Sequence, residues 1–329
     1  MLFTVVIPLY NKAPYIASTL HSVFAQSFED FEVLVVDDGS KDDGAAVVEQ
    51  IQDSRLRLIR QANAGVACAR NRGIAEARGE WIAFLDGDDW WHPEYLATQR
   101  QSMSLFPAVD VVSTGFVSRK DSKDWTPEPW LLPSQDVPRT LVHDLPAQWL
   151  RKLSFFTGSV AVRASRLHAM QPCFPEGETN GEDMDLWFRL GEGGAIVTLP
   201  LPLVAYRDAA SESLSALHNY KGMPPYLTRM QNRALSGNLD AGLARSAMAF
   251  VVQEQVSMAR RALMAGRRGP AMKWLWSAGK RSLSNKRWWV TLGMTLFVPA
   301  KAVAAWRLYC KRRAYRQITD SLPGAPAQD

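Results

Sequence analysis

At 329 residues and 47% hydrophobic, the chain has enough apolar material for one domain of roughly 200 to 250 residues plus an appendage. Its three cysteines, Cys68, Cys173 and Cys310, share no CxxC spacing, which argues against a disulfide framework or a zinc site and fits a reducing compartment. The net charge of +5 conceals an asymmetry: Gln255 to Thr319 holds fifteen Lys or Arg and no acid, leaving 23 basic against 33 acidic residues elsewhere, so two surfaces with different partners are implied.

In chain order, the start MLFTVVIPLYN has neither a basic leader nor a small-residue cleavage site and reads as mature structure. Thr4 to Leu9 is a β-branched apolar run that predicts a strand. Ile16, Leu20, Val23 and Phe24 recur at helical spacing with Pro14 in the first turn. Glu32 to Val36 predicts a second strand, ending in Asp37, Asp38, Gly39 and Ser40. Strands joined through a helix in this way are parallel with a right-handed crossover. Their carboxyl ends are where ligands of open α/β sheets bind.

The unit repeats: a helix over Asp42 to Gln52, a strand over Leu56 to Ile59, a helix over Gly65 to Ala77 and a strand over Glu80 to Leu85. Trp81 to Leu85 is apolar without interruption, as a strand buried on both faces requires. Leu96, Met103 and Phe106 predict another helix, and Val109 to Val117 a strand. Lys120 to Pro146 has no period and is rich in Pro, Asp and Trp, which marks either a functional loop or disorder; Trp125, Trp130 and Trp149 argue for a packed or ligand-covering loop, with core packing as the alternative for any one of them. Thr157 to Val162 reads as a short strand whose Thr157, Gly158 and Ser159 permit close approach of a ligand.

Asp86, Asp88 and Asp89 crowd the exit of the apolar run at Trp81 to Leu85. Like charges at one loop tip repel unless a cation or donors neutralise them, and oxygen-only ligands suit a hard divalent ion that keeps positions open for nucleotide phosphates. At the neighbouring strand exits, Asp38 is placed to accept from a base or ribose, Tyr10 to stack near the base and Arg70 to face phosphate. Pro8, Gly65 and Asp86 complete this expected nucleotide-sugar set. The ordinary alternatives are a solvated acidic turn, turn and N-cap roles for Gly39 and Ser40, and a surface arginine.

A second carboxylate cluster opens a helix at Glu182, Asp183 and Asp185. Acids in a first turn are favoured by the helix dipole, so a structural role is open for Glu182 and Asp183. Asp185 and Arg189 are expected to pair on the solvent side. Glu182 and Trp187 are candidate acceptor-binding residues, Trp187 by stacking on a sugar ring, with core packing as its alternative.

Together VVIPLYNK, VLVVDDGSKD, NAGVACARNRGI, FLDGDDWW and GEDMDLWFRL resemble, in order and approximate spacing, the family 2 glycosyltransferases with a GT-A fold, over about Leu2 to Arg207. The resemblance implies an α/β fold with a Rossmann-like, mainly parallel sheet flanked by helices. It implies a nucleotide-diphosphate sugar donor, Mn2+ or Mg2+ at Asp88, and Asp183, the acid after Glu in the ED motif, as catalytic base. A transferase needs that base for the acceptor hydroxyl and charge neutralisation for the leaving diphosphate. The family often carries a His two residues after the arginine that matches Arg207; Ala209 stands here, so any such help must come from elsewhere, such as His218.

The C-terminal part turns helical, with a hairpin over Ala241 to Gly266 and Pro270 to Leu283 and an apolar piece over Trp288 to Ala305. With Pro299 and Lys301 inside it and basic flanks on both sides, that piece makes a poor membrane span. Lys and Arg mixed with Trp274, Trp276, Trp288, Trp289 and Trp306 suit an anionic membrane surface instead, with a soluble helical subdomain as the alternative. No nucleic-acid motif is present.

The expected organisation is a transferase domain over 1–218, a helical basic membrane-associating region over 219–316 and a flexible tail over 317–329. The expected activity is inverting, metal-dependent transfer of a hexosyl or N-acetylhexosaminyl group to a glycan or lipid-linked glycan, at the cytoplasmic face of the membrane. The alternative is a non-catalytic module that binds nucleotide sugar.

Overall fold

The computed structural model describes residues 1–120, 130, 132, 137–178, 180–208, 222–282, 285–299, 302 and 305. Strands β1 (Phe3–Leu9), β2 (Phe31–Asp37), β3 (Leu56–Arg60) and β4 (Trp81–Phe84) lie in the order β3-β2-β1-β4, all parallel. β1, β2 and β4 are buried along their whole length, which is why their sequences carry no polar alternation. Helices α1 (Ala13–Phe24), α2 (Gly44–Glu49) and α3 (Val66–Glu76) make the crossovers.

Pro8 is tolerated in this central strand because of where its missing N–H points. The Val6 carbonyl accepts from Leu85 on the β4 side and the Leu9 carbonyl from Asp38 on the β2 side. Position 8 therefore faces β4, two residues past the last β1–β4 pair, Val6 with Phe84, so no ladder bond is lost.

Past β4 the sheet becomes mixed. β5 (Trp90–Trp91), β6 (Val111–Lys120), β7 (Thr140–Val142), β8 (Val160–Arg163) and β9 (Ile196–Asp208) extend it in the order β4-β8-β6-β9-β5, with β7 beside β9. β8 is antiparallel to β4 and β6, while β6 runs parallel to β9. Around them are α4 (Tyr95–Leu105), α5 (Leu145–Arg151), α6 (Ala164–His168) and α7 (Glu182–Glu192).

The thirteen-residue β9 was not expected, because Pro200 and Pro202 interrupt its apolar run. The register shifts there, because Thr114, Gly115 and Phe116 of β6 pair with Leu199, Pro202 and Val204, so β9 bulges out its extra residues and the pair continues past the prolines. The strand expected from Thr157 begins instead with a 3-10 turn, Thr157–Ser159, where the Phe156 N–H donates to the Ser159 hydroxyl at 3.1 Å. Much of the expected 120–146 loop lies outside the described residues. Of its described tryptophan, the Trp130 indole donates to the Pro202 carbonyl at 2.6 Å and meets the His92 ring edge-on.

Gly79 closes the α3–β4 connection against β1, donating to the Thr4 hydroxyl at 2.8 Å. A Cβ there would lie 2.5 Å from the Phe3 carbonyl carbon and the Thr4 nitrogen, both backbone. Gly79→Ala is expected to lower stability by about 1–3 kcal/mol, read as a lower urea midpoint at unchanged m.

Two compact units divide the chain, 1–246 and 247–329, against the boundary at 218 expected from sequence. Helix α8 (Pro225–Leu235) falls in the first unit, where Arg229 grips Glu178 at 2.6 and 2.8 Å and Asp185 on α7 at 2.8 Å. Helix α9 (Ala241–Met264) runs through the division. In the second unit, Val256, Ala259 and Leu263 of α9 pack with Ala271 and Leu275 of α10 (Arg268–Ala278) and with Trp288 and Leu292 of α11 (Lys286–Phe297). Among the described residues no helix is long and apolar enough to cross a membrane. Ala209, His218, Lys301, Trp306 and the expected tail lie outside the described residues.

Candidate active site

The carboxyl ends of β1, β2 and β4, the start of α3, the start of α7 and the end of β9 supply the polar groups of one site in the first unit. Arg70 is its centre. Buried on α3 with its guanidinium over the Phe174 ring, it donates 2.7 Å to Asp86 and 2.8 Å to Glu182. One side chain thus ties the acid loop after β4 to the acidic turn of α7, reaching a glutamate 112 positions along the chain from Arg70 itself. Burial works against the Arg70 charge, but Asp86, Glu182 and Asp183 together hold the guanidinium more firmly protonated than usual.

The other two acids of the loop have their own partners. The Lys12 ammonium, at the start of α1, pairs with Asp88. Burial opposes that charge, yet Asp88, Asp86 and Asp89 raise the Lys12 pKa above its ordinary value. Asp89 is buried and accepts from the Arg207 N–H at 2.9 Å. Burial first, then the neighbouring Asp88 and Asp86, push its carboxyl well above the usual range, so Asp89 favours the protonated form. Its second oxygen, also buried, has no hydrogen-bond partner among the described residues.

Arg207 is itself clamped, its guanidinium 4.1 Å from the Trp90 ring and 4.3 Å from the Tyr15 ring, with Nε donating to the Asp88 carbonyl at 3.1 Å. Next to it, burial and the acids Asp89, Asp86 and Asp88 raise the Tyr206 phenol to about 12.

Asp183 stands in the first turn of α7. Its carboxylate accepts 2.8 Å from the Thr157 hydroxyl and 2.7 Å from the Met184 N–H, which fixes its orientation and leaves lone pairs on both oxygens. Glu182 is buried beside it; burial and then the Asp183 charge raise its pKa, with Arg70 opposing. The α7 N-cap, Gly181, has φ +79° and lies so close to Tyr226 that a Cβ would approach that ring to 2.4 Å.

Asp38 is 2% exposed and its carboxylate accepts from Gln61 Nε2 (2.8 Å), Ala64 N (2.9 Å) and Gly65 N (2.8 Å). Most of its hydrogen-bonding capacity therefore holds the loop that starts α3. Gly65 adopts φ +93°, ψ 160°, a backbone open in practice to glycine alone, and this delivers the chain into α3 and Arg70. Tyr10 is 42% exposed at the rim. Beside it Asn11, at φ 52°, bonds the Lys41 N–H through its side chain at 2.8 Å and so joins the β1 and β2 exits. Pro8 lies under the acid loop, where a Cβ at Gly87 would meet its carbonyl at 3.2 Å.

Three expectations are corrected. Trp187 is 1% exposed and packed edge-on to Phe84, Phe155 and Phe174, so no ring face is open to an acceptor sugar; it is core. Asp185 pairs with Arg189 at 2.9 Å, but at 4% exposure and with Arg229 on its other oxygen the pair is interior rather than solvent-facing. Glu182 is likewise engaged with Arg70 rather than presented to an acceptor. Lys12 was legible only as part of VVIPLYNK, and nothing local marked it as the partner of Asp88.

A divalent ion is tested by this donor set. Asp86 and Asp88 are hard oxygen ligands, but no cluster of three metal-ligating side chains occurs among the described residues. Such a set fits an ion shared with a diphosphate and water, the usual Mg2+ arrangement, rather than a self-contained cage.

The fold is also that of Staphylococcus aureus TarS 1–349, solved in complex with UDP-GlcNAc, at TM-score 0.69 and 20% identity, over 96% of this chain and 92% of that one. Among curated proteins, the chain is 30% identical to EpsH of Bacillus subtilis (strain 168) over 175 residues, 52% of this chain and 50% of EpsH. It is 47% identical to the succinoglycan biosynthesis protein ExoW of Rhizobium meliloti (strain 1021) over 111 residues, 32% of this chain and 35% of ExoW. The chain thus spans half or less of the length of these relatives. The family model described as Glycosyl transferase family 2 matches residues 4–167, which carry β1 to β4, Lys12, Arg70 and the three acids after β4, and the chain belongs to that family.

Proposed function

We propose that the protein transfers a sugar from a nucleotide-diphosphate donor to a hydroxyl of a glycan or lipid-linked glycan, with inversion at the anomeric carbon. The observation that carries this reading is the Arg70 bridge, which turns two distant acidic motifs into one site. The complex of TarS with UDP-GlcNAc supports a nucleotide-sugar donor, and the part of ExoW in succinoglycan biosynthesis supports a polysaccharide product. The free thiols Cys68 and Cys173 suit a cytoplasmic seat.

In this mechanism Asp183, held by Thr157 and Met184, takes the proton of the acceptor hydroxyl. The hydroxyl oxygen forms its bond to the anomeric carbon as the bond from that carbon to the diphosphate oxygen breaks on the opposite face. The electron pair leaves with the diphosphate, whose charge is met by Lys12 and by the field of Arg70. A Mn2+ or Mg2+ ion held by Asp88 would add further neutralisation of that leaving group. Tyr10 and the Asp38 loop flank the nucleotide, and Glu182 holds Arg70 in place.

The test is release of nucleoside diphosphate from a panel of nucleotide sugars, with Mn2+ and glycan acceptors. Donor binding without any release would favour the non-catalytic alternative. Because Lys12 already neutralises Asp88, an added ion competes with it. Lys12→Met is expected to tighten Mn2+ binding about tenfold in the absence of donor, measured by calorimetry. Unchanged affinity would mean that Asp88 does not hold the ion.

A further inference from the structure

Helix α11 buries two polar side chains and leaves four large apolar ones outside. Its most buried positions are Thr291 and Thr295, 0% and 3% exposed. The Thr291 hydroxyl accepts from Arg260 at 2.8 Å and donates to the Arg287 carbonyl, while Arg268 donates to the carbonyls of Thr295 and Val298 at 2.9 and 2.7 Å. Trp289, Val290, Leu296 and Phe297 instead face outward, 53%, 51%, 49% and 82% exposed. At about 100° per residue these four share one arc with the exposed Lys286. On α10, Trp276 is 83% exposed one turn from the exposed Lys273. Scattered apolar residues on a surface are ordinary, but an aligned stripe on a helix whose opposite face already packs on the unit's core through Trp288 and Leu292 marks a contact surface.

We propose that this face docks on an anionic lipid surface, with Trp289 and Phe297 entering the headgroup boundary and Lys286 and Arg287 meeting lipid phosphates. Charge selects the occupant. The stretch 255–319 carries fifteen cations and no acid, so the same face of a second copy would bring like charge against it. The segment that follows α11 is also basic through residue 316 and would do likewise. Aromatic side chains over a basic, acid-free helix match what an anionic interface attracts.

The experiment is co-sedimentation of the full chain with sucrose-loaded vesicles of phosphatidylcholine, with or without roughly one-third phosphatidylglycerol, at low and high salt. Wild type is expected to pellet with the anionic vesicles at low salt. Trp289→Ser/Phe297→Ser is expected to bind about tenfold or more weakly while its melting temperature and nucleotide binding hold, since both positions are exposed. Brominated acyl chains should quench wild-type fluorescence, and quench Trp289→Phe less. Wild type remaining in the supernatant, or the double variant pelleting as well as wild type, would overturn the proposal. So would a halved mass on serine substitution, which would assign the face to a second copy, or faster proteolysis after residue 299, which would assign it to the chain's own end.

Discussion

Replacing Asp183 by Asn is expected to lower the turnover number for sugar transfer by about 10²- to 10⁴-fold, the range of a positioned general base. The fold should survive the change. The introduced amide keeps an oxygen for the Met184 N–H, and its nitrogen can donate to the Thr157 hydroxyl, which now accepts instead of donating. Donor affinity should also survive, because the substitution removes a negative charge near Arg70 rather than a phosphate contact. The rise in melting temperature on adding the donor is therefore expected to match wild type while turnover collapses. Undiminished nucleoside diphosphate release with acceptor present would show that another group takes the proton.

Arg70→Met should have the largest effect on stability, about 3–5 kcal/mol, because it strands Glu182 inside the protein and leaves Asp86 without its partner. For the first unit this corresponds to a fall of roughly 10 °C or more in melting temperature. The deficit should depend on pH with an unusual sign. The Glu182 pKa is already raised above the ordinary 4.5 by burial and by Asp183, and Arg70 is what holds it down. Without Arg70 it rises further. A carboxyl whose folded value exceeds its unfolded value leaves stability intact below the unfolded value and erodes it as pH climbs toward the folded one. The variant should thus lie closest to wild type near pH 4 and fall behind toward pH 7. Glu182→Gln in the Arg70→Met background should recover part of the loss, since a neutral amide costs less to bury than an unpaired charge. Urea melts at the two pH values measure both effects, and a deficit independent of pH would mean that Glu182 is not the group left uncompensated.

The C-terminal unit illustrates how far composition reaches. Its helical, basic, tryptophan-rich character can be read directly from residues 255–319, because charge and period are properties of the string. Which residues of α11 face outward cannot be read that way. The inward threonines are satisfied in two ways, the Thr291 hydroxyl by Arg260 of another helix and the Thr295 hydroxyl by the Thr291 carbonyl of its own.

The same division runs through the site. Apolar runs that end in acids or turn residues determined β1, β2 and β4 and the loop at Asp86, because strand burial and helix period are set by neighbours within a few residues. The acidic start of α7 was equally local. Only the tertiary structure decided that Arg70 joins Asp86 to Glu182, that Lys12 answers Asp88, that Arg207 lies between Tyr15 and Trp90, and that Trp187 and Asp185 turn inward. It also decided β9, whose prolines spoil the local pattern but which bulges at them and keeps its pairing with β6. Each of these depends on which face of an element meets another one far away in the chain, and packing and charge pairing choose that face only once the sheet has brought the two together.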